Sequence, residues 1–493
     1  MEFAAKSRHA AVAVAVFTAT AALVFFGTGL APRWPLMWLA PLPVLFFALD
    51  SPPREAALVA AGAWLAGCLN LWSYFRALGP LAWVVTFGLS AVVFAMGVLL
   101  TRALTRRGAV WSALVALPAV WVAFEYLRNL LWPHGSAVSV AYSQLDFLPL
   151  LQWASVAGPW GIAFVLMLFP AGLALGLHLW RPARRQAVRV AAATLAAVAA
   201  VLIFGAVRLQ ISQPGPEVSV GLAASDSDGM SRPGAATAQL FEEYAHKAQE
   251  LTRRGAQVVV LPENLGVVLD SDVARADALF QAVADSTYAV LVVGMTHVAS
   301  QTMQHNEARI YAPAVAVRSY AKEHLLPPWE NMYTPGTALT SFKVLGRAAG
   351  ASWGVAICKD FDFTEPARAY GRAGVGLMLA PAWDFHVDGS WHGHMAVMRA
   401  VEDGFSLARS ARNGVLTVAD DRGRIVAETA SDAAPIALLM SSVRVGHDET
   451  LFLLLGDWFG WFAIALLASV VARRVSLLSR GASTHSNVPT RST

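Results

Sequence analysis

Apolar positions in this chain gather first in long unbroken blocks and only later in short strand-like runs. Blocks near residues 10–30, 34–49, 56–77, 80–101, 110–131, 152–179 and 187–207 come before residue 210. Each is close to the roughly 20 residues that cross a bilayer as a helix, the second being short. An eighth block runs from Leu451 to Ala472. Between the two groups the polar content is ordinary over a length that suits one globular domain. About eight transmembrane helices are therefore expected: a membrane domain at 1–210, an extramembrane domain at 211–448 and a last span at 449–475. The polar stretch 476–493 reads as a disordered cytoplasmic tail. The first block lacks a small-residue cleavage site leading into a soluble chain, so it reads as a retained span.

Inside 211–448 the pattern is α/β. Short β-rich runs such as "VSVGLAA", "AQVVVLP", "YAVLVVG", "RIYAPAVAV", "ASWGVAICKD", "GVGLMLAP", "GVLTVAD" and "RIVAE" are expected strands. They alternate with helical stretches such as "AATAQLFEEYAHKAQELTRRG" and "WHGHMAVMRAVEDGFSLARSA".

Composition strengthens the membrane reading. Hydrophobic residues make up 56% of the chain, charged residues only 14%, and mean hydropathy is +0.50, whereas a soluble domain carries roughly a quarter charged residues. Cys68 lies in an apolar run and Cys358 in a polar region, so no disulfide between them is expected. The net charge of +4 is small, and the arginines cluster beside apolar blocks, which argues against a nucleic-acid partner. With Lys6 and Arg8 inside, alternate loops collect Arg54, Arg102, Arg106, Arg107, Arg181, Arg184, Arg185, Arg189, Arg473, Arg474 and Arg480. By the positive-inside rule the 211–448 domain then faces the outer side of the membrane, the periplasm of a Gram-negative cell.

Two polar features interrupt the apolar blocks. Glu125 and Arg128 stand three apart, on one helix face and close enough to pair. The stretch "PHGSAVSVAYSQLDFLPLLQWASVAGPWG" is too polar and too long for a tight turn, and suits either the mouth of a lipid-facing cavity or a re-entrant loop. Trp34, Trp38, Trp72, Tyr74, Trp83 and Trp132 near span ends read as interfacial anchors.

The candidate chemistry lies at strand ends. "VVVLPENLG" reaches Glu263, "VRSYAKEHLLPPWE" carries Lys322 and Glu330, and "WGVAICKD" ends on Cys358. A thiol with a pKa of about 8.5 is mostly protonated at neutral pH, so a cysteine nucleophile needs a neighbouring base or cation. Glu263 is suited to take the proton. Lys322, with a backbone N–H after the cysteine, is suited to stabilise the thiolate and then the oxyanion of a tetrahedral intermediate. Such a set attacks an acyl carbon and holds the acyl group as a thioester. His386, His392 and His394 in "FHVDGSWHGHM" lack the spacing of a helical zinc pair, and neither a metal nor a cofactor is expected.

The ordered motifs "LPEN", "YAKEHLLPPWE" and "GVAICKD" resemble the Glu, Lys, Cys motifs of the carbon–nitrogen hydrolase (nitrilase) superfamily. With seven spans before and an eighth after, the whole chain is similar to its membrane-anchored branch, the apolipoprotein N-acyltransferases; "EYLRNLLWPHG", "AGPWGIAFVL" and "TLFLLLGDWFGW" add to the likeness. The resemblance implies an α-β-β-α sandwich on the periplasmic side of a bacterial inner membrane. It implies Glu263 as general base, Lys322 as stabilising cation, Cys358 as acyl-carrying nucleophile and Glu330 as a supporting glutamate. Asn306, Lys359, Asp360 and Trp329 become expected substrate-binding residues, and Met332, Tyr333 and Trp383 candidate apolar contacts. The implied reaction moves a fatty acyl chain from a phospholipid to the N-terminal amine of a diacylated apolipoprotein. A monomeric chain is expected. Two alternatives stay open: a membrane-bound carbon–nitrogen hydrolase or amidase with water as acceptor, and an N-acyltransferase with another amine acceptor. The family usually has Tyr and Glu directly after the nucleophile, where this chain has Lys359 and Asp360.

Overall fold

A computed structural model describes residues 2–76, 79–211, 215–226, 231–343 and 352–485, with side chains from residue 7 to residue 478 within those ranges. The membrane domain comprises α1 (Glu2–Gly27), α2 (Trp34–Met37), α3 (Leu42–Asp50), α4 (Pro53–Gly67), α5 (Trp72–Phe75), α6 (Pro80–Thr105), α7 (Val110–Leu131), α8 (Leu148–Leu151), α9 (Ala154–Leu179) and α10 (Arg184–Gln210). Among the described residues seven segments are long and apolar enough to span a membrane: Ser7–Gly27, Pro53–Phe75, Pro80–Thr105, Val110–Leu131, Ala154–Leu179, Arg184–Gln210 and Trp458–Leu478.

The second expected span, 34–49, is instead the short pair α2 and α3. Pro41 and Pro43 supply no backbone N–H, so the helix cannot run unbroken through them. The pair nevertheless carries the chain from one end of the bundle to the other. At one end Trp38 donates to Gln144 (2.8 Å) and Gln144 donates to the Trp34 carbonyl (3.0 Å). At the other, Asp50 approaches His178 (3.5 Å), Arg102 donates to the Ser51 carbonyl (2.9 Å) and His9 pairs with Glu55 (2.7 Å).

The extramembrane domain stacks two sheets. Its strands are β1 (Glu217–Ala224), β2 (Val258–Val260), β3 (Val267–Leu269), β4 (Val290–Val298), β5 (Gln304–Ala312), β6 (Val315–Ala321), β7 (Thr340–Lys343), β8 (Ser352–Val355), β9 (Val375–Trp383), β10 (Ser406–Arg412), β11 (Val415–Ala419), β12 (Ile425–Ala430) and β13 (Ala437–Arg444). One sheet runs β13-β1-β2-β4-β5-β6 with β3 beside β4, and the other β12-β11-β10-β9-β8-β7. The central pairs β1–β2, β2–β4, β8–β9 and β9–β10 are parallel. Alternation decides the layers: Val218, Val220, Leu222, Val258, Val260, Val290 and Val292 meet Leu377, Leu379 and Ala408 between the sheets. The opposite faces pack on α11 (Ala235–Arg253) and α12 (Asp270–Thr287) on one side, and on α13 (Thr364–Arg372) and α14 (Trp391–Asp403) on the other. The result is the expected α-β-β-α sandwich on a polytopic membrane domain.

Three local expectations change. "RIYAPAVAV" is not one strand but the turn of a hairpin between β5 and β6, with Ala314 at φ 56°. The helix expected through 411 ends at Asp403, because Gly404 (φ 72°) reverses the chain and Ser406–Arg412 becomes β10. After β13, α15 (Leu451–Leu455) leads into α16 (Trp458–His485), which runs into the segment expected as a tail; residues 486–493 lie outside the described residues.

The two domains are joined by polar contacts at one bundle end. Arg208 at the end of α10 pairs with Asp448 (2.8 Å), which also pairs with Arg422 (2.5 Å). Gln152 donates to the Arg422 carbonyl (2.8 Å), and Trp160 donates to Asp457 (2.8 Å), which pairs in turn with Arg368 of the sandwich (3.0 Å). The loop 132–153 is wedged beneath the sandwich: Ser136 donates through N and Oγ to the Asp362 carbonyl (3.0 and 2.8 Å), and Arg399 donates to the Tyr142 hydroxyl (3.1 Å). Glu125 does not take Arg128 as its ion-pair partner. Its carboxylate accepts from Ser139 Oγ (2.7 Å) and Val140 N (2.9 Å), bracing this loop, while Arg128 lies over the rings of Phe124 and Trp132.

Candidate active site

Glu263, Lys322 and Cys358 each sit just beyond the C-terminal end of a strand: β2, β6 and β8. β2 and β8 belong to the parallel centres of their sheets and β6, reached by two antiparallel steps from β4, runs in the same sense as β2; the three side chains line one cavity of about 580 Å3. Glu263 is fixed from behind by its backbone N–H, which donates to the Ala382 carbonyl of β9 (3.3 Å). Asn264, at φ 49°, turns the chain away at once.

Lys322 Nζ lies 2.8 Å from Glu263 Oε1 and 2.9 Å from Glu330. Asn306 Nδ2 bridges the same two carboxylates, at 2.5 Å to Glu263 Oε1 and 2.8 Å to Glu330 Oε1. Glu330 is held in turn by Leu326 N (2.7 Å). Glu263 Oε2 is buried and has no hydrogen-bond partner among the described residues, which leaves one acceptor open. Burial raises Glu263 above the usual carboxylate range; Lys322 opposes the rise and Glu330 adds to it. Burial works against the Lys322 ammonium, but Glu263, Glu330 and Cys358 outweigh it and hold the lysine well above its ordinary value, firmly cationic.

Cys358 adopts φ 44°, a left-handed conformation uncommon for a residue with a Cβ, and begins a single 3-10 turn over Cys358–Asp362. The turn is held by Asp360, whose carboxylate accepts from Ile357 N (2.9 Å), Tyr320 Oη (2.8 Å) and His324 N (2.8 Å). The thiol is directed at the Trp383 carbonyl (3.6 Å). Burial and then Glu263 push it well above the ordinary thiol value, with Lys322 opposing, so the resting group is a neutral thiol rather than a thiolate.

The cavity wall beyond this cluster is largely apolar and comes from both domains. Tyr74 and Phe75 at the end of α5, Trp132 and Val138 of the loop, and Leu326, Trp329, Met332, Tyr333, Trp383 and Phe385 of the sandwich line it. Trp329 is 41% exposed at the rim. Trp329, Met332, Tyr333 and Trp383 therefore all reach the cavity as candidate contacts. Tyr74 bonds to His392 (3.1 Å) and Trp83 to the Cys68 carbonyl (3.2 Å), so these two are packing and lining groups rather than surface anchors.

Two expected substrate contacts are corrected. Asn306 and Asp360 do not line the cavity; both are buried, Asn306 Nδ2 is spent on the glutamates while its Oδ1 has no partner among the described residues, and the Asp360 carboxylate is spent on the Cys358 turn. Lys359 does line it, 3% exposed, donating to the Pro133 carbonyl (2.5 Å) and lying over the Phe363 ring. Burial draws the lysine below its ordinary value, with Asp362 opposing. Sequence reasoning passed over Asp384, which pairs through both oxygens with Arg409, and Arg412, which lies 4.0 Å over the Trp383 ring and donates to the Asn264 carbonyl (2.9 Å). "APAWDF" carries the same signal as "VAICKD", an apolar strand ending abruptly in charge.

Comparison with known proteins agrees with this architecture. Residues 18–172 match the apolipoprotein N-acyltransferase N-terminal domain, and residues 230–439 match the carbon–nitrogen hydrolase domain. The chain belongs to the apolipoprotein N-acyltransferase family. A family relative from Geobacter metallireducens, an apolipoprotein N-acyltransferase, is 26% identical over 92% of this chain and 94% of its own. Another, from Nitrosomonas europaea, is 28% identical over 81% of this chain and 85% of its own. Among solved structures, an amidase from Nesterenkonia sp. is 21% identical, covering 48% of this chain and 93% of its own with a TM-score of 0.39. The chain is thus a bacterial membrane protein of an acyltransferase family, with a nitrilase-like domain.

Proposed function

We propose that the protein transfers a fatty acyl chain from a phospholipid, through a thioester on Cys358, to the N-terminal amine of diacylglyceryl-cysteine in an apolipoprotein. The observation that carries this reading is the shared cavity: Glu263, Lys322, Glu330 and Cys358 at one end, and aromatic residues of the membrane domain in its wall. Both proposed substrates carry acyl chains, and drawing these into water costs about 0.8 kcal/mol per CH2. A nucleophile facing a wall built partly by the membrane bundle keeps them out of water.

In the first half-reaction Glu263 Oε2 takes the thiol proton as the sulfur attacks the ester carbonyl. The oxyanion is met by the Lys322 ammonium and the backbone N–H of Lys359. The tetrahedral intermediate collapses, the lysophospholipid oxygen leaves with the proton held by Glu263, and the thioester remains. In the second half the acceptor amine attacks, Glu263 takes its proton, and the thiol is released. A thiol that stays protonated at rest is guarded against oxidation and needs Glu263 only when substrate is in place.

The catalytic domain is proposed to face the periplasm. Arg54, Arg102, Arg106, Arg107, Arg181, Arg184 and Arg185 all lie at helix ends away from the sandwich, which supports that orientation. Ser300→Cys in a background with Cys68→Ala and Cys358→Ala should react with an impermeant maleimide in intact cells; protection until lysis would reverse the orientation.

The central test is intact-mass analysis of protein purified from membranes. A fatty-acyl adduct removed by hydroxylamine and absent in Cys358→Ala is expected. Incubation with labelled phospholipid and a diacylated lipopeptide should yield acylated peptide; free fatty acid alone would make the protein a hydrolase.

A further inference from the structure

The cavity carries charged groups at two places. At the nucleophile end two carboxylates, Glu263 and Glu330, flank one ammonium. Where the 132–138 loop passes the nucleophile turn, Lys359 and His392 stand against Asp362, which lines the same corner, and Asp388. Among the described residues Lys359 Nζ has one hydrogen-bond partner, the Pro133 carbonyl, and lies 4.7 Å from the Phe363 ring centroid. The neighbouring carboxylates are engaged elsewhere: His392 stands 3.4 Å from Asp362 and 3.2 Å from Asp388. Lys359 forms no ion pair among the described residues. His134, packed on Trp132, lines the same corner as a neutral N–H group, since burial and then Lys359 lower it to about 4. A nearly buried ammonium with donors to spare and no carboxylate partner is costly unless its cavity receives an anion.

We propose that Lys359 Nζ, with His134 beside it and His392 behind, forms an anion subsite for the phosphodiester of the lipid acyl donor. This rests on the reading above that the donor is a phospholipid. Of the two substrates in that reading only the donor carries a phosphate, so the subsite tells apart two lipids that must occupy one cavity in turn. In a glycerophospholipid only the glycerol unit separates the ester carbonyl from the phosphate. Cys358 and Lys359 are consecutive residues, and their side chains reach the same cavity, so carbonyl and phosphate are held together. The lysine is a compact point charge suited to a phosphate oxygen. Its ammonium bonds the Pro133 carbonyl rather than the sulfur, which separates this role from thiol ionisation.

The test uses the full-length protein in detergent and two donors of the same fatty acid: a phosphatidyl lipid and a p-nitrophenyl ester, which has no phosphate. The readout is the ratio of kcat/KM for Cys358 acylation by the two. Lys359→Gln keeps a donor for the Pro133 carbonyl and removes the charge. The ratio is expected to fall by about tenfold or more, mainly through KM of the phosphatidyl donor, as befits a lost charge-assisted hydrogen bond. Lys359→Arg should restore most of it, and His392→Gln should lower it more modestly. An unchanged ratio in Lys359→Gln, whether both donors slow together or neither does, overturns the subsite. Should that variant fail to fold, an unchanged ratio in His392→Gln overturns it instead. Wild-type protein acylated by the ester but by no phosphatidyl donor would sink the phospholipid reading itself, before any variant is compared.

Discussion

Glu263 meets Lys322 through one oxygen only: Oε1 lies 2.8 Å from the ammonium, while Oε2 is buried without a partner among the described residues. The ion pair orients the carboxylate and leaves its second oxygen for a proton. Glu263→Gln removes the acceptor while keeping the shape, and should slow Cys358 acylation by about 10²–10⁴, the usual range for a lost general base. Time-resolved intact mass with the p-nitrophenyl ester measures this. A rate within threefold of wild type would exclude Glu263 as the base.

The pH profile should carry a signature of the same carboxylate. A base works when deprotonated, so acylation falls as pH drops through the Glu263 pKa, which burial and Glu330 raise. Lys322 is held well above its ordinary value and stays charged, so it produces no alkaline loss in the usual working range. Glu330→Gln removes a negative neighbour and should move the acid limb of kcat/KM to lower pH. A limb that stays in place or moves upward would contradict the coupling.

The site was legible where an apolar run stops abruptly in charge. Cys358 and Glu263 could be found that way because a buried parallel strand is continuously apolar and its end is where polar groups first meet a cavity, whereas Lys322 follows a mostly exposed edge strand and was marked by the motif "YAKEHLLPPWE". β10 was not legible, because "SLARSAR" reads as helix surface. Its Arg409 and Arg412 are buried, yet their charges are met by Asp384 and the Asn264 carbonyl across the fold, partners that no local pattern reveals. Asp360 is ambiguous in sequence for a related reason. Beside a nucleophile, a carboxylate that binds substrate and one that braces a turn have the same sequence, and only the three donors around it decide.

Asp360 leads to a prediction of its own. Asp360→Ala leaves Tyr320 Oη, His324 N and Ile357 N without their acceptor, at about 1–3 kcal/mol for each donor that stays buried and unpaired. The loss should appear as a lower unfolding midpoint and a lower kcat for both donors, since the turn that presents Cys358 loosens. A change confined to KM would return Asp360 to substrate binding.

His392 ties stability to pH. Burial opposes its protonation, but Asp388 and Asp362 outweigh burial and lift it from 6.5 to about 9. A histidine raised on folding stabilises the fold fully below its unfolded pKa, and that contribution disappears as pH rises through the folded value. Stability should therefore decline between roughly pH 6.5 and 9, by on the order of 3 kcal/mol at most. His392→Gln should flatten thermal-unfolding midpoints across that window. An equal slope in both proteins would assign the decline to other groups.

Gly135 tests whether the membrane domain takes part in presenting the nucleophile. It sits at φ 51°, and a Cβ there would lie 2.6 Å from the Asp362 carbonyl oxygen and 3.0 Å from the Phe363 ring. The left-handed backbone alone costs an alanine on the order of 1 kcal/mol, and the contact with backbone cannot be relieved by a rotamer change. Gly135→Ala must therefore shift the loop off the 3-10 turn, straining the Ser136 bonds to the Asp362 carbonyl. Cys358 acylation should fall several-fold while the sandwich itself stays folded, because the loop contributes nothing between the sheets. Limited proteolysis would then find the loop more readily cut and the sandwich as resistant as before. Unimpaired acylation with a cut loop would mean that the turn holds Cys358 unaided, and that the membrane domain serves only as an anchor.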